Sequence, residues 1–586
     1  MTAQLENPFE YEAASNLSDD MVAEYFIDDF NYSRFIQSRR NVFIVGERGT
    51  GKTMALLFNS SRIQRLIAQK NDHCPVLKYI GVYVPCNTPL TYKPEFELLD
   101  PFLSSVLSEH LFALTIAHAT VTTLADIPNI LTGLDIPKIR LEISTILAAE
   151  LSEQVGLFDA IRMFLESQIR DTQRTAVSRN LDAYHQETFS FASLVMPILT
   201  LCRRSISLLS DSHFLFLIDD AHALNERQVK ALNSWIAFRD RSLFSFKVAT
   251  TKVAPANRRT SSGGSVLEGH DYITIDLESP LHNSNSGYYK LARKVIEQRL
   301  AKVDITVTPE EFFPVNPEML KDLERAKVET EKAAIAKYGE SATKSVRDYV
   351  YKYHRSQYFK SRSRRANRPP YSGFETLVYI STGVIRNLLE PCYYMFDKAM
   401  SAKSGDSADK IRYIEPSIQR EIILARSDGA WERLGEHLAN NIEGCSLQDG
   451  ERAYRLFNAL AAHFRARLLG EGSEPGALSF TISNQAGHAW QDLQRILNIL
   501  RSAQMLYVRI GTAKDRGSRE LYYVPNRILW PSRGLDPHGQ HARVSLTSDA
   551  LWQAAETGQL ARSTTKKAVA GSNVVQDDLW SGDDGT

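Results

Sequence analysis

Eight consecutive residues, Gly46-Glu47-Arg48-Gly49-Thr50-Gly51-Lys52-Thr53, constrain this chain more than any other feature. An apolar stretch, Asn41-Val42-Phe43-Ile44-Val45, precedes them, and Met54-Ala55-Leu56-Leu57 opens a helix behind them. Strand, glycine-rich loop and helix in that order form the setting that a phosphate-binding loop requires. Gly46, Gly49 and Gly51 let backbone N–H groups close around a β-phosphate. Lys52 reaches the β/γ oxygens, Thr53 offers a hydroxyl to Mg²⁺, and the helix N-terminus favours the anion. Gly46, Glu47, Arg48, Gly49, Thr50, Gly51, Lys52 and Thr53 are therefore the nucleotide-binding candidates, with ATP and Mg²⁺ as the expected ligands.

At 586 residues the chain is too long for one core. Lys+Arg and Asp+Glu both total 69, so any attraction to nucleic acid must come from local patches. The five cysteines include no Cys-x-x-Cys pair, which argues against a zinc ribbon and fits a reducing, cytoplasmic setting. Met1 to Asp20 lacks a basic start and an apolar run, so no signal peptide is expected. Apolar stretches such as Phe191 to Cys202 read as too short to span a membrane.

The organisation reads as follows. Residues 1–40 are an acidic-aromatic lead-in, and 41–280 an α/β core with a helical insertion at about 100–205. Within that core, Val76 to Val84, Phe214 to Ile218, Phe244 to Thr250 and Asp271 to Leu277 read as strands, alternating with helices as in a doubly wound parallel sheet. Residues 281–445 read as a helical lid holding a basic segment, 344–368. Residues 446–545 give helix, strand, helix and two strands, a winged-helix order, and 546–586 a disordered tail.

The second half of a nucleotide site is a carboxylate at a neighbouring strand end. Asp219, after five apolar residues, has that place for Mg²⁺, and Asp220 follows where AAA+ ATPases, which this arrangement resembles, carry the glutamate that activates water. Capping of the next helix is the plainer use of such a pair. Asp220 is one methylene shorter than glutamate, so turnover is expected to be slow, or Glu226 contributes instead. Thr250 ends the next strand, where a polar side chain can orient attacking water, although threonine is common in strands. Arg258 and Arg259 lie in a polar loop from which an arginine can reach a neighbouring subunit's γ-phosphate; solvated loop arginines are commoner. Arg386, in Gly383-Val384-Ile385-Arg386, opens a lid helix and points back at the nucleotide in this reading.

Two regions are candidates for DNA. Lys344 to Arg368 interleaves Arg347, Lys352, Arg355, Lys360, Arg362, Arg364, Arg365 and Arg368 with Tyr349, Tyr351, Tyr353, Tyr358 and Phe359. The alternative is an amphipathic helix whose tyrosines pack the lid. In the winged unit, Gln491, Gln494, Arg495, Asn498 and Arg501 share a helix, and Thr512 to Arg519 forms a basic wing. Such units also bind proteins.

Taken in order, these pieces resemble AAA+ ATPases of the initiator group, similar to the origin-recognition and cell-division-cycle ATPases and to the bacterial ATPases grouped with them in anti-phage defence. Asn7-Pro8-Phe9, Arg39-Arg40-Asn41 and Ile218-Asp219-Asp220-Ala221-His222 carry the likeness, which covers about 1–100, 210–300 and 371–545. It implies a P-loop AAA+ fold with a lid and a C-terminal winged helix, ATP hydrolysis, a homo-oligomer and contact with DNA. Two departures matter: the insertion and basic segment lie outside the family pattern, and Asp220 replaces a glutamate. A slow signalling switch that recruits a separate effector protein is the rival expectation.

Overall fold

The computed structural model describes all residues except 1–6, 11–12, 29–31, 72–76, 89–90, 92, 178–187, 239–241, 253–256, 279–285, 365–368, 403–410, 471–475, 513–518, 539–541 and 561–586. Five strands form a parallel sheet: β1 (Asn41–Val45), β2 (Tyr79–Pro85), β3 (His213–Asp219), β4 (Phe244–Thr250) and β5 (Tyr272–Asp276), in the order β2-β3-β4-β1-β5. β1 and β3 lie inside the sheet and are covered on both faces, which is why they read as unbroken apolar runs. Asn41 bolts the start of β1 to its neighbours. Its amide donates to the Ile236 and Asp271 carbonyls at 3.2 and 3.1 Å and accepts from the Phe246 N–H at 2.9 Å.

Register places the candidate chemistry along one edge. Val45, the residue before the loop, pairs with Thr250, and Pro85 pairs with Asp219. The carboxyl ends of β1, β4, β3 and β2 thus lie side by side.

The helical insertion is the covering layer of one sheet face. Helices Pro101–Ala125, Ile136–Leu147 and Leu157–Val177 join the sheet in one core that contains Phe112, Phe191, Phe216, Trp235 and Phe246. Helix Pro101–Ala125 is long and apolar enough, by length and composition alone, to cross a membrane, and more than half of its apolar stretch is buried inside this core. It packs against β2 and helix Glu226–Ile236.

The lid and the C-terminal unit share a single core, from Phe312 and Phe396 through Trp431 to Phe457 and Trp530. Phe9 is fully buried in it, touching Phe312, Phe313 and Phe396, so the lead-in is anchored in the lid. The C-terminal unit sets helices Leu447–Leu469 and Gly487–Ser502 beside a second sheet of β6 (Ser479–Ser483), β7 (Leu506–Thr512), β8 (Arg519–Pro525) and β9 (Arg543–Thr547), in the order β7-β8-β6-β9. The antiparallel pair β7/β8 is the wing hairpin of a winged helix. The expected disordered tail from 546 is corrected in its first part. Ser548–Thr557 is a helix capped by Thr547, with Leu551, Ala554 and Ala555 fully buried. The tail beyond 560 and the wing tip 513–518 lie outside the described residues.

Candidate functional site

Gly51 caps the helix Lys52–Phe58 in a left-handed conformation, φ +97°, which favours glycine. Nothing lies within 4 Å of where its Cβ would stand, so the loop opens onto space. That space is a cavity of about 1040 Å³ lined by Arg48 to Thr53, Asp219, Asp220, His222 and Arg386, and by the lead-in residues Tyr25 and Phe26. Among the described residues, Gly46 and Glu47 do not line it; the Glu47 carboxylate is buried behind the loop. Gly49 is needed for a different reason. A Cβ there would stand 2.7 Å from the Arg386 Cβ, and the Gly49 carbonyl accepts from the Arg386 N–H at 3.3 Å. The lid helix Ile385–Ser401 therefore starts directly on the loop.

Lys52 is buried, and its Nζ donates to the Gly46 and Glu47 carbonyls at 2.8 and 2.9 Å. Burial pulls its pKa down to about 8, against the opposing charges of Asp220 and Asp219. Asp219 accepts from the Tyr83 hydroxyl at 2.8 Å and from the Asp220 N–H at 3.0 Å, and the Thr53 hydroxyl bonds the same carboxylate. Its pKa is raised, first by burial and then by the charge of Asp220. Asp220 has φ +50°, and its carboxylate accepts from the Asn87 amide at 2.8 Å. His222 Nε2 accepts from Arg48 at 3.4 Å, and its Nδ1 lies 3.9 Å from Asp220. Burial lowers the His222 pKa, with Asp220 opposing.

Tyr83, Asn87 and His222 are thus neighbours of the carboxylate pair that spacing alone did not single out as such, with Arg48 bonded to His222 behind them. The parallel pairing of β2 with β3 was the available signal: once Pro85 is set against Asp219, the residues after it must face the carboxylates.

Three expected residues fall elsewhere. Glu226 is exposed at the start of its helix and pairs with Lys230 at 2.6 Å; among the described residues it does not line the cavity. Arg258 stacks on its own chain, 3.8 Å from the Phe43 ring and 5.1 Å from that of Tyr272, with a 3.3 Å hydrogen bond to the Tyr272 hydroxyl. Arg258 is thus spent on contacts within its own chain, whereas Arg259 is exposed beside it. Thr250 is half-buried at the end of β4, next to the loop's entry and outside the cavity lining.

Among the described residues, no group of three His, Cys, Asp or Glu could hold a metal ion. Thr53 and Asp219, a hydroxyl and a carboxylate in contact, are the oxygen donors suited to a hard cation that takes further ligands from water and phosphate, as Mg²⁺ does. The residues present fit a magnesium–nucleotide ligand.

In the basic segment the structure pairs two of the arginines inside the protein, as in the packed-helix alternative. In helix Thr343–Arg364, Tyr358 and Phe359 are buried, Arg355 pairs with Asp536 at 2.6 Å, and Arg362 pairs with Glu318 and Asp322 at 2.9 and 3.0 Å. Arg365, Arg368 and the Arg364 side chain lie outside the described residues. In helix Gly487–Ser502, Gln491, Gln494, Arg495 and Asn498 are exposed, while Arg501 donates to the Lys252 carbonyl at 3.0 Å.

No curated protein matches the sequence. Solved structures similar to the chain include two from Aeropyrum pernix. The Aeropyrum pernix ORC1 protein in complex with DNA is 10% identical, with 88% of this chain and 97% of that chain covered at a TM-score of 0.30. The Aeropyrum pernix ORC2 protein, in ADPNP-ADP complexes, is 11% identical, with 94% and 97% covered at a TM-score of 0.29. Both are too distant to assign a role to any residue. The family model described as ORC-CDC6-like matches residues 7–333 and 316–546, nearly the whole described chain, and the protein belongs to that family.

Proposed function

We propose that the chain binds and hydrolyses ATP, and that its nucleotide state controls self-assembly and the engagement of DNA or a partner. One observation carries this reading: Arg48 to Thr53, Asp219, Asp220 and Arg386 converge on a single large cavity. Bound there, a nucleotide supplies its γ-phosphoryl group for transfer to water. Lys52 neutralises the β/γ oxygens, and Thr53 and Asp219 hold Mg²⁺. Asp220 takes the proton of the attacking water, with Asn87 fixing its carboxylate. Arg386 closes the lid on the γ-phosphate, and Arg259 is the residue offered to a neighbouring subunit. The exposed face of helix Gly487–Ser502 is the surface offered to DNA, and defence against foreign DNA is the setting that the resemblance implies.

The second reading is a slow switch that recruits an effector. Asp220 favours it, being short, held by Asn87 and fixed in a left-handed conformation. Steady-state hydrolysis with and without duplex and single-stranded DNA decides between them, with Lys52→Ala as the blank. DNA-stimulated turnover is expected. Tight ATP binding without turnover would establish the switch.

Lys52→Ala removes charge-assisted hydrogen bonds worth about 1.5–3 kcal/mol, so nucleotide affinity should fall by roughly 10- to 100-fold. Native affinity in that variant would remove the site assignment. The pH dependence has a definite sign. Lys52 titrates near 8 and phosphate oxygens favour its charged form, so binding takes up a proton above that pH and affinity declines. A flat affinity between pH 7 and 9.5 would contradict the role of Lys52.

A further inference from the structure

Glu278 belongs to no sequence motif, yet its side chain is only 1% exposed and meets three units of the molecule. It lies two residues beyond β5. One oxygen, Oε1, accepts the Glu47 N–H at 2.7 Å, at the entry of the phosphate loop. The other, Oε2, accepts from Lys252 at 3.0 Å and pairs with Arg509 of β7, in the wing hairpin. Lys252 also binds Asp276 at 2.6 Å. The Glu47 carboxylate faces the same cations, Arg509, Arg501 and Lys252. Three carboxylates and three cations are thus collected behind the loop, two of the cations coming from the C-terminal unit.

Arg509 also reaches the lid. Its Nη2 donates to the Thr382 carbonyl at 3.3 Å, in the turn before Arg386. Residue 47 is therefore held at both ends, its N–H by Glu278 and its carbonyl by Lys52 at 2.9 Å. Removing Arg509 would leave Glu278 buried with Lys252 alone as its cation, an under-compensated charge whose side chain is no longer fixed from the hairpin side. The loop's own N–H is held by the other oxygen of that carboxylate, so its hold depends on the same side-chain position.

We propose that Arg509 is a positioning residue for the nucleotide, contributed by the wing hairpin and acting through Glu278 on the entry of the phosphate loop. The inference rests on the nucleotide-binding reading above and deepens it. Linkage then makes the effect reciprocal: whatever factor the Arg509–Glu278 contact adds to nucleotide affinity, nucleotide adds to the docking of the hairpin.

The test is an equilibrium titration of the intact protein with a fluorescent ATP analogue, comparing native, Arg509→Gln, Arg509→Lys, Glu278→Gln and the Gln/Gln double variant. Thermal melts check that each variant is folded. Arg509→Gln and Glu278→Gln should each weaken binding by about tenfold, and the double variant by no more than the worse single, because the two act as one contact. Arg509→Lys keeps the charge and should recover most of the loss. Arg509→Gln that is folded and binds within twofold of native overturns the inference, as does a double loss equal to the product of the singles.

Amide hydrogen exchange of the native protein gives a readout that survives a variant failing to fold. Saturating nucleotide should slow exchange in 506–512 and 519–525, and unchanged exchange there overturns the inference. A native protein that binds no analogue would sink the nucleotide reading itself and this inference with it, a result distinct from native binding that Arg509→Gln leaves intact.

Discussion

Two helices hold most of the cationic and amide groups that the sequence offers to nucleic acid, and the fold treats them in opposite ways. Helix Thr343–Arg364 packs against helix Pro317–Tyr338 and against Leu447–Leu469, and its strongest cations point inward. Arg355 makes two hydrogen bonds to Asp536, at 2.6 and 2.8 Å, and contacts His538 at 2.6 Å. Helix Gly487–Ser502 buries its apolar stripe, Leu493, Ile496, Leu497, Ile499 and Leu500, and leaves Gln491, Gln494 and Asn498 exposed, while Arg495 pairs with Asp449 at 2.6 Å and Arg501 reaches the Lys252 carbonyl. A run of arginines and tyrosines does not by itself make a surface. Planar guanidinium groups are also the cations best suited to pair inside a fold, because they satisfy a carboxylate with two parallel hydrogen bonds.

The largest effects should come from breaking the inward helix. Arg355→Ala leaves Asp536 buried without its cation, and Arg362→Glu sets a third carboxylate beside Glu318 and Asp322. Each should cost about 3–5 kcal/mol, read as a lowered urea midpoint. A variant that melts like native but loses DNA affinity would invert the comparison.

Acid acts on the same pair. Burial would raise the Asp536 carboxyl, but the Arg355 charge and the hydrogen bonds from Arg355 and His538 outweigh it and hold the group well below the usual carboxylate range. A depressed carboxylate contributes stability above its unfolded pKa and loses it as pH falls toward the folded value. Native protein should therefore weaken progressively below about pH 4. Asp536→Asn should be less stable at neutral pH and show a shallower acid slope. Equal slopes in the two proteins would remove Asp536 from the account.

The contrast also shows what a sequence can carry. The phosphate loop was legible because its chemistry is local: eight consecutive residues supply glycines, cation and hydroxyl at fixed spacing. The strands were legible because β1 and β3 are buried on both faces and read as apolar runs. Asn87 and Tyr83 were not, since their importance comes from strand register, which joins residues more than 130 positions apart. Glu278 and Arg509 were invisible because their contact joins two separate sheets, which no local pattern relates. β9 was missed because only Val544 and Leu546 mark its buried face, too few for a period-two pattern. The pairing of Arg355 and Arg362 was not legible because their partners lie on other segments, Asp536 in the C-terminal unit and Asp322 one helix earlier.

A middle-sized effect belongs to the outward helix. Gln491, Gln494 and Asn498 stand exposed on one face, with side chains able to pair with adenine edges in a major groove. Replacing all three by alanine should leave stability within about 0.5 kcal/mol and cost about 1–3 kcal/mol of discrimination for each base pair they read. Competition between a selected duplex and random DNA measures this. Unchanged discrimination in the folded triple variant would leave this helix as a protein contact and break the comparison on its outward side.

The smallest effect is expected at what remains exposed of the basic segment. Arg347 and Lys352 are in water on helix Thr343–Arg364. Replacing both by alanine should change stability by less than about 0.5 kcal/mol, since neither is buried. If DNA sits on the winged helix alone, the dependence of log K on log salt should keep its native slope. Each phosphate that these side chains neutralise would instead reduce the slope by about 0.9 once its cation is gone. A reduction near 1.8 in the double variant would mean that the helix pairs inward through Arg355 and Arg362 while it binds phosphate outward through Arg347 and Lys352. The two helices would then form one DNA surface, and burial of the arginines would be what holds its second edge in place.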